Sequence, residues 1–210
     1  MKNIGIMGGT FNPIHIGHIE IARAAYEQYQ LDEIWFMPNH IPAYKSNEGI
    51  VSCEHRLNMI SLAIKDYDYF KLSDFEITRE GKTYSYQTFT LLKQQYPDVK
   101  FYFIMGADSL FYFDKWIHPE IILENADVLV ASRNNNGIEQ INDRISILED
   151  MYPESHFYVI KCDNTNCSSS ELRNHLHLIN ENNEENDAAL FVKKYIPASV
   201  YEYIINNRLY

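Results

Sequence analysis

The sequence has few cysteines, few basic residues and no long apolar run. Three cysteines are a small, odd number for 210 residues, which excludes a disulfide framework and is typical of a reducing compartment. With 18 Lys and Arg against 29 Asp and Glu the net charge is −11, so no general attraction to nucleic acid or an anionic membrane is expected. The longest apolar stretch, 101–107, is far shorter than the roughly 20 residues of a membrane span.

The first residues do not form the apolar core of a cleavable signal peptide. The apolar stretch Ile4–Met7 is too short and glycines follow it at once, so we expect a cytoplasmic protein. Hydrophobic residues make up 46% of the 210 residues, which is enough to form a sizeable core. We expect one domain, with a sheet and its covering helices over 1–165 and a helical segment over 166–210.

Apolar residues recur with two different periods along the chain, which predicts alternating strands and helices. Strands are predicted at 3–8, 33–37, 70–77, 100–105, 127–132 and 156–160, and helices at 16–30, 53–64, 85–95, 116–124 and 137–151. This alternation predicts an α/β fold with a doubly wound, mostly parallel, Rossmann-like sheet that binds ligands beyond the carboxyl ends of its strands. Helical spacing continues after Ser168, and the polar segment 180–187 is predicted to be an exposed loop.

Gly8–His18 is the most informative segment. Two glycines follow the first strand, where they allow main-chain N–H groups to approach a phosphate, and the helix that begins near His15 directs its positive end to the same place. The segment is neither the dinucleotide G-x-G-x-x-G motif nor the G-x-x-x-x-G-K-[ST] phosphate loop. We interpret it as an anion-binding turn.

Two histidines, His15 and His18, are three residues apart, so on a helix they share one face, and Gly17 leaves room for a ligand. Imidazoles beside an anion-binding turn suit phosphoryl chemistry, because they donate hydrogen bonds to oxygens that gain charge in the transition state. The alternative is a glycine turn followed by two surface histidines. The coupling of the pair to the strand and the glycines favours the functional interpretation.

Ser168–Arg173 is a second candidate phosphate-binding segment. Three serines precede a helical pattern, and Arg173 lies one helical turn from Ser169 and Ser170. Hydroxyls and a guanidinium at a helix N-terminus can bind phosphate. The alternative is ordinary capping, with a Ser-x-x-Glu box from Ser168 to Glu171 and a solvated arginine.

Taken together, these segments resemble the signatures of a nucleotidyltransferase family. Gly8–His18 contains the (H/T)-x-G-H motif, and Ser168–Arg173 resembles Ser-Ser-Ser-x-(I/L)-Arg. Among these enzymes the chain is most similar to bacterial nicotinate-nucleotide adenylyltransferases. The resemblance covers essentially the whole chain and includes Arg56-x-x-Met59, Glu76-Ile77-x-Arg79-x-Gly81, Phe103–Ser109, Phe113-x-x-Trp116, Tyr195–Val200, Tyr203-Ile204 and Leu209-Tyr210.

The resemblance implies transfer of the adenylyl group of ATP to nicotinate mononucleotide, giving deamido-NAD and pyrophosphate in NAD biosynthesis. It implies catalytic roles for His15 and His18, with His18 facing the α-phosphate and with Lys45 and Arg173 facing the triphosphate. Mg²⁺ would enter with ATP, and no metal site in the protein is expected. The implied nicotinate contacts are Ser85, Tyr86 and Trp116, and the implied ATP contacts are Gly8, Gly9, Thr10, Phe11, Gly106, Asp108, Ser168, Ser169 and Ser170.

The chain departs from the family pattern at several positions. Asn12 stands where the family commonly has Asp, and Tyr44 replaces a loop histidine, which leaves Lys45 as the matching cation. The family's Ser-Tyr-Thr-x-Asp-Thr becomes Thr83–Thr88, with Gln87 in place of the Asp. The segment 180–187 is longer than the family's turn, so an inherited subunit interface is in doubt and the sequence leaves open whether the protein is a homo-oligomer.

Several residues have two interpretations. Asp108 could bind a ligand, by accepting from ribose hydroxyls or from a metal-bound water, or it could cap a helix. Trp116 could stack on the pyridine ring or pack in the core. Cys162 and Cys167, with histidines nearby, lack the spacing of a zinc site. Five acidic residues lie close together in the sequence, and we interpret them as solvated surface: Asp66, Asp68, Asp74, Glu76 and Glu80.

Two other functions stay open. One is a related transferase, such as a pantetheine-phosphate adenylyltransferase or a cytidylyltransferase. The other is a non-catalytic nucleotide sensor, although intact His15, His18 and Arg173 argue against it, because binding alone does not require transition-state donors.

Overall fold

The structure is a computed structural model that describes residues 1–42, 49–132, 137–162, 167–182 and 187–210. Its strands are β1 (Lys2–Gly9), β2 (Glu33–Pro38), β3 (Ile41–Pro42), β4 (Phe70–Leu72), β5 (Lys82–Thr83), β6 (Val99–Gly106), β7 (Ala126–Ser132) and β8 (Phe157–Lys161). Its helices are α1 (Ile16–Tyr29), α2 (Cys53–Ile64), α3 (Ser85–Gln95), α4 (Ala107–Leu110), α5 (Pro119–Asn125), α6 (Ile138–Met151), α7 (Ser169–Asn182), α8 (Asp187–Tyr195) and α9 (Ala198–Asn206), with a 3₁₀ turn at Phe113–Lys115.

In the described part of the chain the main sheet has the strand order β4-β2-β1-β6-β7-β8, and every neighbouring pair is parallel. The chain winds outward from β1 in one direction through β2 and β4, and in the other through β6, β7 and β8. This confirms the predicted doubly wound α/β fold. The winding direction reverses between β1 and β6, and the crevice at their carboxyl ends is where such sheets bind ligands.

The sheet is covered on both faces, as its strand sequences require. Along β6, Phe101, Phe103 and Met105 belong to one buried cluster, whereas Ile104 belongs to the other. Successive side chains of a strand point to opposite faces, so a continuous apolar run feeds two cores. Helices α1, α2 and α7–α9 contribute to the first core, and α3, α5 and α6 to the second.

Two predicted elements have the wrong extent. The strand predicted at 70–77 ends at Leu72, because the chain then turns, with Thr78 N–H donating to the Asp74 carbonyl. The helix predicted at 116–124 begins only at Pro119. His118 has left-handed backbone at φ 52°, which stops a helix from extending back to Trp116.

The loop predicted at 180–187 is also wrong at both ends. Helix α7 continues to Asn182 and α8 begins at Asp187, while 183–186 lie outside the described residues. A polar sequence can continue a helix whose preceding turns are already packed, because each added residue then extends an existing helix and needs no new nucleus.

None of the helices in the described residues combines the length and the apolar character needed to cross a bilayer.

Candidate active site

A cleft of about 420 Å³ opens where β1 and β6 end and α7 begins, and we call it the main cleft. It brings together residues that are far apart in the sequence, at the edge of the sheet predicted to bind ligands. Most of the site residues expected from the sequence line it: Gly8, Gly9, Thr10, Phe11, His15, His18, Gly106, Asp108, Trp116, Ser168, Ser169, Ser170 and Arg173.

Glycine suits the two positions of the turn, Gly8 and Gly9, for different reasons. A Cβ at Gly9 would lie 3.2 Å from the Phe11 ring, so close packing within the turn disfavours a side chain there. A Cβ at Gly8 would meet only Phe103, at an ordinary 3.5 Å. Gly8 is nevertheless exposed at the end of a central strand, so its missing side chain leaves the main chain open to a ligand in the cleft.

The two histidines are bound to each other at the start of α1. The main-chain N–H of His15 donates to His18 Nδ1 at 3.2 Å, and the ring centroids are 3.9 Å apart. An Nδ1 that accepts this bond leaves Nε2 as the ring nitrogen that carries the proton. His15 is buried, whereas His18 is partly exposed and lines the main cleft.

The start of α7 is held against the glycine turn by side-chain donors. Arg173 Nη1 donates to the Asn12 carbonyl at 2.8 Å, and Ser169 Oγ donates to the Pro13 carbonyl at 2.9 Å. Ser168 Oγ accepts from the Glu171 N–H at 3.2 Å, so the capping interpretation of this serine is also correct. The segment therefore caps a helix and lines the cleft at the same time.

Asn12 is a residue of the cleft that the sequence marked only as a departure. Its Nδ2 donates to the Gly49 carbonyl at 2.9 Å, while its Oδ1 accepts from the Val51 N–H and from the Tyr210 hydroxyl. A carboxylate could not donate to the Gly49 carbonyl, so an amide suits this site. Asn12 thereby connects the glycine turn to two other parts of the chain, the segment at Gly49 and Val51 and the residue Tyr210.

A smaller space of about 220 Å³, the side lobe, adjoins the main cleft and shares Gly8, Gly9, Thr10 and Trp116 with it. Ser85 lines it as expected, whereas Tyr86 is not among the described residues that line either space. The Tyr86 ring packs against His118, with ring centroids 4.9 Å apart, so the expectation for Tyr86 can hold only for its main chain.

Asp108 and Trp116 can now be placed. The N-cap of α4 is Gly106, so Asp108 is not the cap, and its side chain is exposed at the cleft. Trp116 contacts the core residue Phe113, at a centroid distance of 5.5 Å, and also lines both spaces, so both interpretations of it describe part of its environment. Lys45 and Tyr44 lie outside the described residues.

Glu76 corrects the acidic-cluster interpretation. Asp66, Asp68, Asp74 and Glu80 are exposed, but Glu76 is only 8% exposed and lines the side lobe. Burial raises the pKa of its carboxyl to about 7, although a hydrogen bond from Thr88 Oγ1 at 2.6 Å and the nearby charge of Arg79 act in the opposite direction. The Glu76-Ile77-x-Arg79 motif was the sequence signal that set it apart from its neighbours.

Glu76→Gln is expected to stabilise the protein at pH 8 and to have little effect at pH 5. The pKa of this carboxyl is about 7 in the folded protein, against an ordinary value of 4.5, so the group destabilises the fold increasingly as pH rises through this interval. The variant should gain about 3 kcal/mol in unfolding free energy at pH 8, and under about 1 kcal/mol at pH 5. Urea unfolding at both pH values measures this, with exposed Glu80→Gln as the control. An equal change at both pH values would contradict the shifted pKa.

The fold and the cleft define a class of protein: an α/β nucleotide-binding protein whose cleft lies at the carboxyl ends of its parallel strands. Comparison with known proteins agrees. A sequence model of the cytidylyltransferase-like family matches residues 6–175. A probable nicotinate-nucleotide adenylyltransferase of Lachnoclostridium phytofermentans is 40% identical over 210 residues, covering 100% of both chains. The nicotinate-nucleotide adenylyltransferase of Bacillus subtilis is 50% identical over 139 residues, covering 66% of this chain and 74% of the relative.

Solved structures agree as well. The Plasmodium falciparum nicotinic acid mononucleotide adenylyltransferase complexed with NaAD has a TM-score of 0.77 at 26% identity, covering 100% of this chain and 97% of that one. The chain therefore belongs to the cytidylyltransferase-like family and, within it, to the nicotinate-nucleotide adenylyltransferases, as the resemblance predicted.

Proposed function

We propose that this protein transfers the adenylyl group of ATP to nicotinate mononucleotide, giving deamido-NAD and pyrophosphate in NAD biosynthesis. The names of its relatives support this activity. The observation that carries it is the meeting of two spaces at the end of β1, where Gly8, Gly9 and Thr10 line both. ATP would occupy the main cleft and the nicotinate ring the side lobe, so that the two reacting phosphates meet at the glycine turn.

The reaction requires positioning rather than a covalent enzyme intermediate. A phosphate oxygen of nicotinate mononucleotide attacks the α-phosphorus of ATP, the bond to the β-phosphate breaks, and pyrophosphate leaves with the electron pair. In this proposal His18 donates its Nε2–H to the α-phosphate, and Arg173 binds the triphosphate together with the hydroxyls of Ser168 and Ser170. The hydroxyl of Ser169, which donates to the Pro13 carbonyl, holds the serine segment in place beside the ATP. Because the chain carries a net charge of −11, these local donors must offset the charge of the substrates.

Mg²⁺ is proposed to enter as part of the ATP substrate, where it neutralises phosphate charge. Among the described residues, no group of three or more His, Cys, Asp and Glu side chains is placed to hold a metal ion. Asp108 is exposed at the cleft and could accept from a water bound to the entering ion. Lys45, which follows β3 in the sequence and lies outside the described residues, is proposed to contact the triphosphate.

A cytoplasmic location is part of the proposal. All three cysteines, Cys53, Cys162 and Cys167, are free thiols, which is the usage of a reducing compartment. The proposed partners are ATP and nicotinate mononucleotide. Binding to nucleic acid or to a membrane surface is not proposed.

A coupled assay of pyrophosphate release tests the activity. The purified protein should release pyrophosphate from ATP with nicotinate mononucleotide, at a rate well above that with phosphopantetheine as acceptor or with CTP as donor. Efficient use of phosphopantetheine or CTP would instead identify one of the related transferases. ATP binding without pyrophosphate release from any pair would identify a nucleotide sensor and refute the proposal.

A further inference from the structure

Arg56 is a charged residue in a core position. On α2 the buried residues are Arg56, Met59, Ile60, Ala63 and Ile64, and this spacing is that of the apolar face of an amphipathic helix. The arginine is only 1% exposed and is among the largest fully buried side chains. Arginine is rarely buried without a partner, because moving a charge out of water is costly.

The partners of this guanidinium in the described residues are neutral. Nη1 donates to the Thr10 carbonyl at 3.0 Å, and Nη2 donates to the His40 carbonyl and to Cys53 Sγ, both at 3.2 Å. Its buried Nε has no hydrogen-bond partner among the described residues. None of the Asp and Glu side chains in that part of the chain forms a salt bridge with it.

The nearby phenol of Tyr210 does not supply the missing charge. Burial raises the pKa of its hydroxyl, although the positive charges of Arg173 and Arg56 act in the opposite direction. The phenol therefore stays protonated, and it donates to Asn12 Oδ1 at 2.8 Å. The positive charge of Arg56 is held inside the protein without a described counter-charge.

The position of this charge suggests what balances it. Thr10, whose carbonyl Arg56 binds, lines both the main cleft and the side lobe, so the guanidinium lies directly behind the wall of the candidate active site. A charge in a low-dielectric interior acts over a longer distance and is screened less by salt than one at the surface. In a chain of net charge −11, it is a local source of positive potential at the glycine turn.

We infer that Arg56 is a built-in counter-charge for the substrate polyphosphate, a positioning residue that binds the nucleotide through its charge without touching it. The inference rests on the proposed function, because it takes the main cleft to be the ATP site. It differs from the role proposed for Arg173, which is partly exposed and lines the main cleft, where it can contact a ligand directly. If this is so, the loss of Arg56 should lower the affinity for a nucleotide more strongly the more phosphate charge the nucleotide carries.

Calorimetric titration of adenosine, AMP, ADP and ATP into the full-length protein, at fixed Mg²⁺, tests this. Arg56→Met removes the charge at similar volume. We expect it to lower the affinity for ATP by at least about tenfold and the affinity for adenosine by less than about twofold, with the losses for AMP and ADP between these values. Met59→Leu, one turn further along the same buried face, is the control for altered packing and should preserve the ratio of ATP to adenosine affinity.

A conservative variant keeps the test decisive if Arg56→Met does not fold. Arg56→Lys retains the charge, so the ratio of ATP to adenosine affinity should stay within about threefold of the natural protein. A tenfold or larger loss of that ratio in the lysine variant, or an equal loss of adenosine and ATP affinity in the methionine variant, would overturn the inference. Pyrophosphate release is read separately, so a protein that binds ATP but makes no dinucleotide refutes the proposed function alone.

Discussion

Replacing His18 with alanine is expected to lower kcat for pyrophosphate release by about 10²–10³, the cost typical of losing one preorganised donor to a developing negative charge. The structure gives the reason for the expected size. The His15 N–H donates to His18 Nδ1, which orients the imidazole and leaves Nε2 as its donor. That donor is oriented before substrate arrives, so its loss should reduce kcat more than it changes KM.

The matched control is His177→Ala. His177 is exposed on α7 and does not line the main cleft, so its removal should leave kcat and thermal stability unchanged. His18→Gln retains a side-chain N–H donor and should recover part of the lost rate. If His18→Ala keeps more than half of the natural kcat while remaining folded, His18 has no catalytic role.

Much of the fold follows from local patterns in the sequence. The predicted bounds of the helices at 53–64 and 85–95 match α2 and α3, because apolar spacing and a proline such as Pro97 after a helix are signals within a few residues. The strand and glycine turn at the start of the chain are equally local. Such signals also located the two segments that line the main cleft.

Contacts between distant residues could not be predicted in this way. Arg173 reaches the Asn12 carbonyl across 161 positions and Tyr210 reaches Asn12 Oδ1 across 198, and no periodicity encodes such pairs. Glu76 was assigned to the surface with its acidic neighbours, because burial depends on which element packs over a residue. Arg56 belonged to a matching motif, but its position behind the glycine turn required the three-dimensional structure.

The start of α3 is the feature that bears on substrate choice. The helix begins at Ser85, which lines the side lobe, and the first N–H groups of any helix have no acceptor within it. Free main-chain donors at a helix N-terminus favour an anion. We propose that the N–H groups of Ser85 and Tyr86 bind the carboxylate of nicotinate, whose oxygens only accept hydrogen bonds.

The protein is therefore expected to prefer nicotinate mononucleotide over its amide by at least about 10² in kcat/KM, because the amide presents an NH₂ donor to these N–H donors and leaves buried groups unpaired. Steady-state kinetics with both mononucleotides measure the ratio. Trp116→Ala should weaken the binding of both mononucleotides alike, since stacking on a ring does not distinguish acid from amide. This variant is therefore the control for ring binding. Equal efficiency on the two mononucleotides would refute the deamido specificity, whereas adenylyl transfer itself would stand.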